Sequence, residues 1–120
     1  MMWKVATTDL FDEWFAGLGE GGQAEVIAKV KLLEILGPRL GRPHADTLKG
    51  SKHANMKELR ADTKSMVLRI AFAFDPERSA ILLLGGDKSG ISQKRFYKLL
   101  ITKADSLYEL HVAALKKLKD

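Results

Sequence analysis

Residues 56–97 read MKELRADTKSMVLRIAFAFDPERSAILLLGGDKSGISQKRFY, and this stretch decides the fold. Three runs rich in apolar residues, 56–60, 65–74 and 79–86, are separated by short polar segments. Alternating apolar side chains with β-branched and aromatic members are typical of strands, and D-P-E-R at 75–78 suits a turn. The stretch therefore predicts three consecutive antiparallel strands that lead into a helix.

Turn positions predict the pairing of these strands. A four-residue loop at 62–65 would place Glu58 opposite Arg69, and a loop at 75–78 would place Arg69 opposite Leu84. Because side chains alternate between faces, one face forms a core against helices: Leu59, Leu68, Ile70, Phe72, Phe74, Ile81 and Leu83. The other face is expected to be an open cleft with a polar end: Met56, Glu58, Arg60, Val67, Arg69, Ala71, Leu82 and Leu84.

Two helices are predicted before this sheet. A short strand at 3–6 precedes Thr7 and Thr8, which offer N-caps to a helix with an apolar stripe ending at Leu18. A second helix runs from about Gln23 to Leu36 and completes an αα-hairpin, since Gly-Pro follows it. Residues 39–55 read as a long ordered loop. The last helix is expected over 92–118, with a break around 101–103.

Composition sets further bounds. The chain has 120 residues, 46% hydrophobic and 29% charged, with a net charge of +5 and no cysteine. These values predict one domain over residues 1–120, without disulfides and in the cytoplasm. No apolar run approaches the ~20 residues of a membrane span, so no membrane association is expected. Residues 39–57 hold five Lys/Arg and two His against Asp46 alone, a composition that suits either a polyanion-binding segment or a solvated loop.

Cations on a rigid sheet point to a phosphodiester. Arg60 and Arg69 share a face, and further polar side chains follow the third strand: Lys88, Lys94, Arg95 and Tyr97. Fixed cations beside an aromatic hydroxyl suit a phosphate better than a neutral metabolite. Neither arginine can act as a base, because its pKa lies far above neutrality. Glu58 either forms an ordinary cross-strand ion pair with Arg69 or holds that guanidinium in place for a phosphate.

Several other chemistries lack their motifs. In G-G-D-K-S-G at 85–90, Asp87 precedes Lys88 where a Walker A loop requires glycine. His44, His53 and His111 show no metal-ligand spacing, and no serine-hydrolase motif occurs. We therefore predict no nucleotide hydrolysis, no metal site and no cofactor.

The sequence resembles the HigB-type toxins of the RelE superfamily, the toxins of bacterial type II toxin–antitoxin modules. The resemblance lies in M-K-E-L-R, V-L-R-I-A-F-A-F-D-P, A-I-L-L-L-G-G-D-K and R-F-Y…A-D-x-L-Y, and it covers nearly the whole chain. It implies an α+β fold: an N-terminal strand and αα-hairpin packed on a mainly antiparallel sheet, with a C-terminal helix.

The resemblance also implies a function. It implies a metal-free, ribosome-dependent endoribonuclease that cleaves mRNA and inhibits translation. Carried over by position, Arg69, Lys88 and Tyr97 are the catalytic residues. The residues themselves, independently of the resemblance, suggest Glu58 as a further catalytic candidate, and they suggest that Arg60, Lys94 and Arg95 bind phosphate. The lysine pair that such toxins carry on the second strand is replaced by Glu58 and Arg60, which leaves the general base open between Glu58, Lys88 and Tyr97.

Partners and alternatives follow from the same resemblance. It implies a HigA-type helix-turn-helix antitoxin, the ribosome and mRNA as partners, and operator DNA only through the antitoxin. The alternative on the same fold is a ParE-like gyrase inhibitor without nuclease activity, and a third is a degenerate toxin that acts only as a co-repressor. The clustered cations favour the nuclease, because a gyrase binder needs no phosphate site.

Overall fold

A computed structural model describes residues 2–119 as a five-stranded sheet between two helical layers. The strands lie in the order β1-β5-β4-β3-β2, with β1 parallel to β5 and the other pairs antiparallel. The elements are β1 (Val5–Thr7), α1 (Asp9–Ala16), α2 (Glu20–Leu36), a 3₁₀ turn (Gly37–Arg39), β2 (Ala45–Thr47), β3 (Met56–Asp62), β4 (Val67–Phe74), β5 (Ala80–Asp87) and α3 (Gln93–Lys119). The predicted α+β class is confirmed. Within residues 2–119, no helix is both long enough and apolar enough to cross a membrane.

The N-terminal hairpin is fixed to the sheet by its first cap. Thr8 accepts a hydrogen bond from the Phe11 N–H at 3.1 Å, which satisfies a free donor in the first turn of α1. The same hydroxyl donates to the carbonyl of Leu83 on β5 at 2.5 Å. One side chain therefore starts the helix and attaches it to the sheet.

Two predicted elements differ from the structure. Residues 39–55 are not entirely loop, because β2 pairs there with β3 through Ala45 and Leu59. A three-residue strand is too short to show an alternating pattern. The predicted break at 101–103 is also wrong, since α3 is continuous across Leu100 and Ala104, which are both buried against the sheet. Packing of that face outweighs the weak helix propensity of the intervening residues.

The predicted pairing of β3 with β4 is displaced by two residues. The hairpin closes through the Thr63 N–H, which donates to the Met66 carbonyl at 2.9 Å, so Arg60 lies opposite Arg69 and Glu58 opposite Ala71. A two-residue displacement keeps every side chain on its predicted face. The face assignment of β3 and β4 is therefore right although the register was wrong.

The pairing of β4 with β5 differs more. Arg69 lies opposite Gly86 rather than Leu84, and Phe72 opposite Leu82, because Leu83 is an extra residue in a β-bulge. Leu82 consequently faces α1 and α2, while Ile81, Leu83 and Leu84 face α3. The predicted face of this strand is wrong for Leu82, Ile81 and Leu83. Turn signals do not encode a bulge in the middle of a strand.

Both faces of the sheet are covered. Against α1 and α2 lie Phe11, Val26, Leu33, Leu59, Leu68, Ile70, Phe72 and Leu82. Against α3 lie Met56, Ala71, Ile81, Leu83, Leu84, Phe96, Leu100, Ala104 and Tyr108. The second face is thus not the open cleft expected from the sequence, because α3 fills most of it. The polar end of this face, beside the first turns of α3, remains accessible.

Candidate active site

The polar end of the second face is a cleft of about 350 Å³ between β2, β3 and the start of α3. Its lining combines four cations with two carboxylates and a phenol: Arg42, Asp46, Thr47, Leu48, Lys49, Glu58, Arg60, Lys88, Gln93 and Tyr97. Strand alternation brings Glu58 and Arg60 to one face, and the end of β5 supplies Lys88. Ser92 accepts from the Arg95 N–H at 3.2 Å, which begins the helix that carries Tyr97.

Glu58 is the centre of this cleft. It is 4% exposed, and its Oε1 accepts a hydrogen bond from the Tyr97 hydroxyl at 2.6 Å. Its Oε2 accepts from Arg60, from Nη2 at 3.0 Å and Nε at 3.2 Å, while Arg69 Nε lies 3.7 Å from Oε1. Hydrogen bonds from Tyr97 and Arg60, with Arg69 close by, hold the carboxylate in one orientation. The predicted contact of Glu58 with Arg69 exists, but across a diagonal of the sheet.

Arg69 lies behind the cleft surface. Its side chain is 8% exposed, and Nη1 donates to Asp62 at 2.6 Å and to the Leu68 carbonyl at 2.8 Å. Its Nε is buried without a hydrogen-bond partner. Burial tends to lower the pKa of Arg69, but the hydrogen bond and charge of Asp62 raise it overall. Arg69 is therefore a permanent cation beneath the cleft, with one donor directed toward Glu58.

Tyr97 and Lys88 have pKa values moved in opposite directions. Burial, followed by the hydrogen bond and charge of Glu58, raises the pKa of Tyr97 to about 12. Burial, followed by the positive charges of Arg69 and Arg60, lowers the pKa of Lys88. The ammonium Nζ lies 5.3 Å from the centre of the Tyr97 ring. The phenol therefore holds its proton near neutral pH, whereas the ammonium loses its proton more easily than a solvated lysine.

Asp46 forms the mouth of the cleft, which the sequence did not predict. Its Oδ2 accepts from Arg42 Nε at 2.9 Å and from Arg60 Nη2 at 3.4 Å. The Thr47 N–H and then Arg42 lower the pKa of Asp46, which keeps it ionised. Neither Arg42 nor Asp46 was a predicted site residue, because their position depends on β2. Their presence in a basic segment was the only signal.

The predicted site residues separate into two groups. Glu58, Arg60, Lys88 and Tyr97 line the cleft, and Arg69 supports it from below. Lys94 is exposed outside the cleft lining, and Arg95 lines a different groove on the opposite side of α3. Arg95, two positions before Tyr97, points to another side of α3 because a helix turns 100° per residue. Among residues 2–119, no three His, Asp or Glu side chains are grouped as metal ligands.

This arrangement suits a polyanion at a reacting phosphate. Arg60 and Lys88 are cations at the surface, Tyr97 is a hydroxyl donor, and the pKa of Lys88 is lower than that of a solvated lysine. Cations aimed at developing phosphoryl charge are the usual means of stabilising such a transition state. The cleft thus brings cations, a phenol and an amine close together.

Known proteins are similar to this chain over most of its length. Residues 13–109 match the family described as phage derived protein Gp49-like. The putative toxin HigB3 of Mycobacterium tuberculosis is 48% identical over 103 residues, which are 86% of this chain and 88% of the relative. The putative toxin HigB2 of the same organism is 39% identical over 116 residues, 96% of this chain but 57% of that relative's length. The solved structure of a mutant of the E. coli toxin RelE in the free state superposes on this chain with a TM-score of 0.60, at 12% sequence identity and over 86% of this chain and 97% of that one. This comparison shows a shared fold.

Proposed function

The chain belongs to the Gp49-like family and is a HigB-type toxin of the RelE superfamily, and on that premise we propose that it cleaves mRNA as a metal-independent endoribonuclease. The observation that carries the proposal is the convergence of Arg60, Lys88 and Tyr97 on one cleft around Glu58. A toxin that acted only by binding another protein would have no use for this group of cations and proton carriers. No feature of the cleft favours the gyrase-inhibitor alternative.

The reaction uses the nucleophile of the substrate. The 2′-hydroxyl of the RNA loses its proton and attacks the adjacent phosphorus, while the bond from phosphorus to the 5′ oxygen breaks. The products are a 2′,3′-cyclic phosphate and a 5′-hydroxyl end, and the proton lost at one oxygen is balanced by a proton gained at the other. This chemistry needs charge stabilisation, one base and one acid.

The position of each group in the cleft and the direction of its pKa shift support the following division of roles. Lys88, whose pKa is lowered, is the base that takes the 2′-hydroxyl proton. Tyr97, whose pKa is about 12, remains protonated, and its hydroxyl turns from Glu58 Oε1 to donate its proton to the leaving oxygen. Arg60 binds the phosphoryl oxygens at the surface. Arg69 adds a fixed positive charge from below.

Glu58 has a positioning role in this scheme. Both of its oxygens already accept hydrogen bonds, from Tyr97 and from Arg60. It therefore orients the acid and the phosphate-binding guanidinium instead of acting as the base. Its negative charge also raises the pKa of Tyr97, after burial has done so, which keeps the phenol protonated.

The proposed biological setting follows the family. The toxin would act in the cytoplasm on mRNA bound to the ribosome, and a helix-turn-helix antitoxin of the HigA type would neutralise it. Operator DNA would be bound only through that antitoxin. The net charge of +5 suits a protein that works against a ribosomal RNA surface.

Mapping of RNA 5′ ends tests the proposal. The wild-type chain is expected to produce codon-phased cuts with 5′-hydroxyl ends when ribosomes are present. Lys88→Met and Tyr97→Phe should each slow cleavage by about 10²–10⁴-fold, the usual contribution of one general acid or base. Lys117→Met, on the far end of α3, is the matched control and should cut at the wild-type rate. Intact mRNA together with DNA breaks would refute the nuclease proposal.

A further inference from the structure

A second and larger hollow, about 620 Å³, lies on the opposite side of α3 from the active cleft. It runs between the end of β5 and the first half of α3. Its floor is made of apolar side chains that are also part of the core: Leu84, Phe96 and Leu100. We name it the β5–α3 groove. It contributes no residue to the catalytic scheme above.

One wall of this groove is an unpaired strand edge. β1 pairs with β5 only at Ala80, Ile81 and Leu82, and β5 is next to β4 on its other side. Residues 83–87 therefore have no strand neighbour on the β1 side. Gly85 and Gly86 lie in this segment and line the groove; they carry no side chain of their own on that wall, although the rings of Trp14 and Phe96 each cover one face of the strand. An open edge of this kind is a template for another extended chain.

The opposite wall is apolar with a positive rim. Ile91 and Leu99 line it although they are 49% and 55% exposed, which is unusual for large apolar side chains. Arg95 and Lys103, both exposed, stand along the same wall. The groove thus combines apolar contact, a strand edge that β1 does not cover and two cations in one lining.

We propose that the β5–α3 groove binds an extended segment of the antitoxin that alternates apolar and acidic residues and adds a strand to the free edge of β5. This inference rests on the proposed function, which supplies the antitoxin. Apolar side chains of the segment would cover Ile91 and Leu99, and its carboxylates would meet Arg95 and Lys103. Asp87 also lines the groove, but its carboxylate accepts hydrogen bonds from the Val67 and Ser89 N–H groups at 3.0 Å.

Charge and surface chemistry favour this occupant over two others. RNA bases stack on exposed aromatic rings, and Phe96, the aromatic side chain lining the groove, is 8% exposed. A second copy of the chain would bring its own Arg95 and Lys103 and a further net charge of +5. An acidic peptide neutralises these cations, whereas RNA would leave the apolar wall uncovered.

Binding of the purified antitoxin from the same module tests the inference by titration calorimetry. Leu99→Asp and Lys103→Glu should each weaken binding at least tenfold. Leu110→Asp changes an equally long apolar side chain on the same helix, 68% exposed and outside the groove, and should bind within threefold of wild type. Circular dichroism on each variant shows whether it is folded.

Hydrogen exchange distinguishes strand addition from general packing. Amides within residues 83–87 whose N–H points away from β4 should exchange more slowly in the complex, because an added strand would accept those protons. Tight binding that is insensitive to Leu99→Asp and Lys103→Glu, with unchanged exchange at 83–87, overturns the inference and leaves the nuclease proposal intact. Failure of the wild-type chain to bind the antitoxin overturns both the inference and the proposed partner, while the 5′-end map still reports on the nuclease.

Discussion

Replacing Glu58 by alanine should destabilise the protein by about 3–5 kcal/mol, the range for removing one partner of a buried ion pair. The carboxylate is 4% exposed and accepts hydrogen bonds from Tyr97 and from Arg60. Its removal leaves the Tyr97 hydroxyl without an acceptor and leaves the Arg69 Nε, already unpartnered, beside an empty space. The Arg69 Nε is buried and the Tyr97 hydroxyl is partly buried, so the desolvation of these donors is then poorly compensated.

The structure indicates the lower end of this range. Arg60 is 31% exposed in its side chain and can regain water, and Arg69 keeps its hydrogen bond to Asp62. We therefore expect about 3 kcal/mol for Glu58→Ala. Glu58→Gln keeps the size and one acceptor but loses the charge, so it should cost about 1.5–3 kcal/mol, as for a charge-assisted hydrogen bond.

Urea unfolding of each variant measures these values, read at an unchanged m-value. Glu77→Ala is the control, because Glu77 pairs with Lys119 at 3.4 Å on the exposed surface. An exposed pair contributes about 0–1 kcal/mol. If Glu58→Ala loses less than about 1 kcal/mol, or no more than the control, the carboxylate does not hold the cleft together and the positioning role is wrong.

Three further outcomes follow from the structure. In an alkaline absorbance titration Tyr97 should ionise near pH 12, since burial and then Glu58 raise its pKa. Glu58→Gln should lower the midpoint of this titration, and an unchanged midpoint would contradict the hydrogen bond from Tyr97 to Glu58. Gly85→Ala should cost about 1–3 kcal/mol by urea unfolding, because its Cβ would lie within 2.4 Å of the Trp14 ring, and a neutral result would mean that the ring moves freely. Burial opposes ionisation of Asp75, but its hydrogen bonds lower its pKa overall. The ionised carboxylate therefore stabilises the fold above pH ~4, and this contribution is lost as pH falls through the folded-state pKa. Asp75→Asn should reduce the dependence of the free energy of unfolding on pH in the acid range, and an unchanged slope would refute the assignment.

Much of the fold could be predicted because its elements carry strong local signals. The alternation in 65–74 and the cap at Thr8 each specify one element without help from distant residues. The register could not be predicted in the same way. The segment between β3 and β4 permits a four-residue or a tighter loop, and the closure from Thr63 to Met66 is settled by packing of the whole sheet.

The candidate site was predictable to the extent that it depends on alternation. Glu58, Arg60 and Arg69 share a face as predicted, because faces follow from sequence spacing alone. The burial of Arg69 beneath the surface and its hydrogen bond to Asp62 depend on side-chain conformation, which spacing does not specify. Asp46 depends on a three-residue strand whose only support is its neighbour β3.

The extra residue Leu83 in β5 has a consequence for how the chain tolerates changes of length. Because of this extra residue, the side chains that follow Leu83 point to the opposite faces from those that strict alternation would give. Gly85 therefore lies under Trp14 and Gly86 under Phe96, and the Lys88 side chain points toward Tyr97. Deleting one residue from 83–85 would turn Lys88 to the far face of the sheet and disable the cleft without removing any of its residues. Insertions and deletions among relatives should therefore fall in the turns at 63–66 and 75–79 and in the segment 48–55, while the number of residues in β5 stays the same.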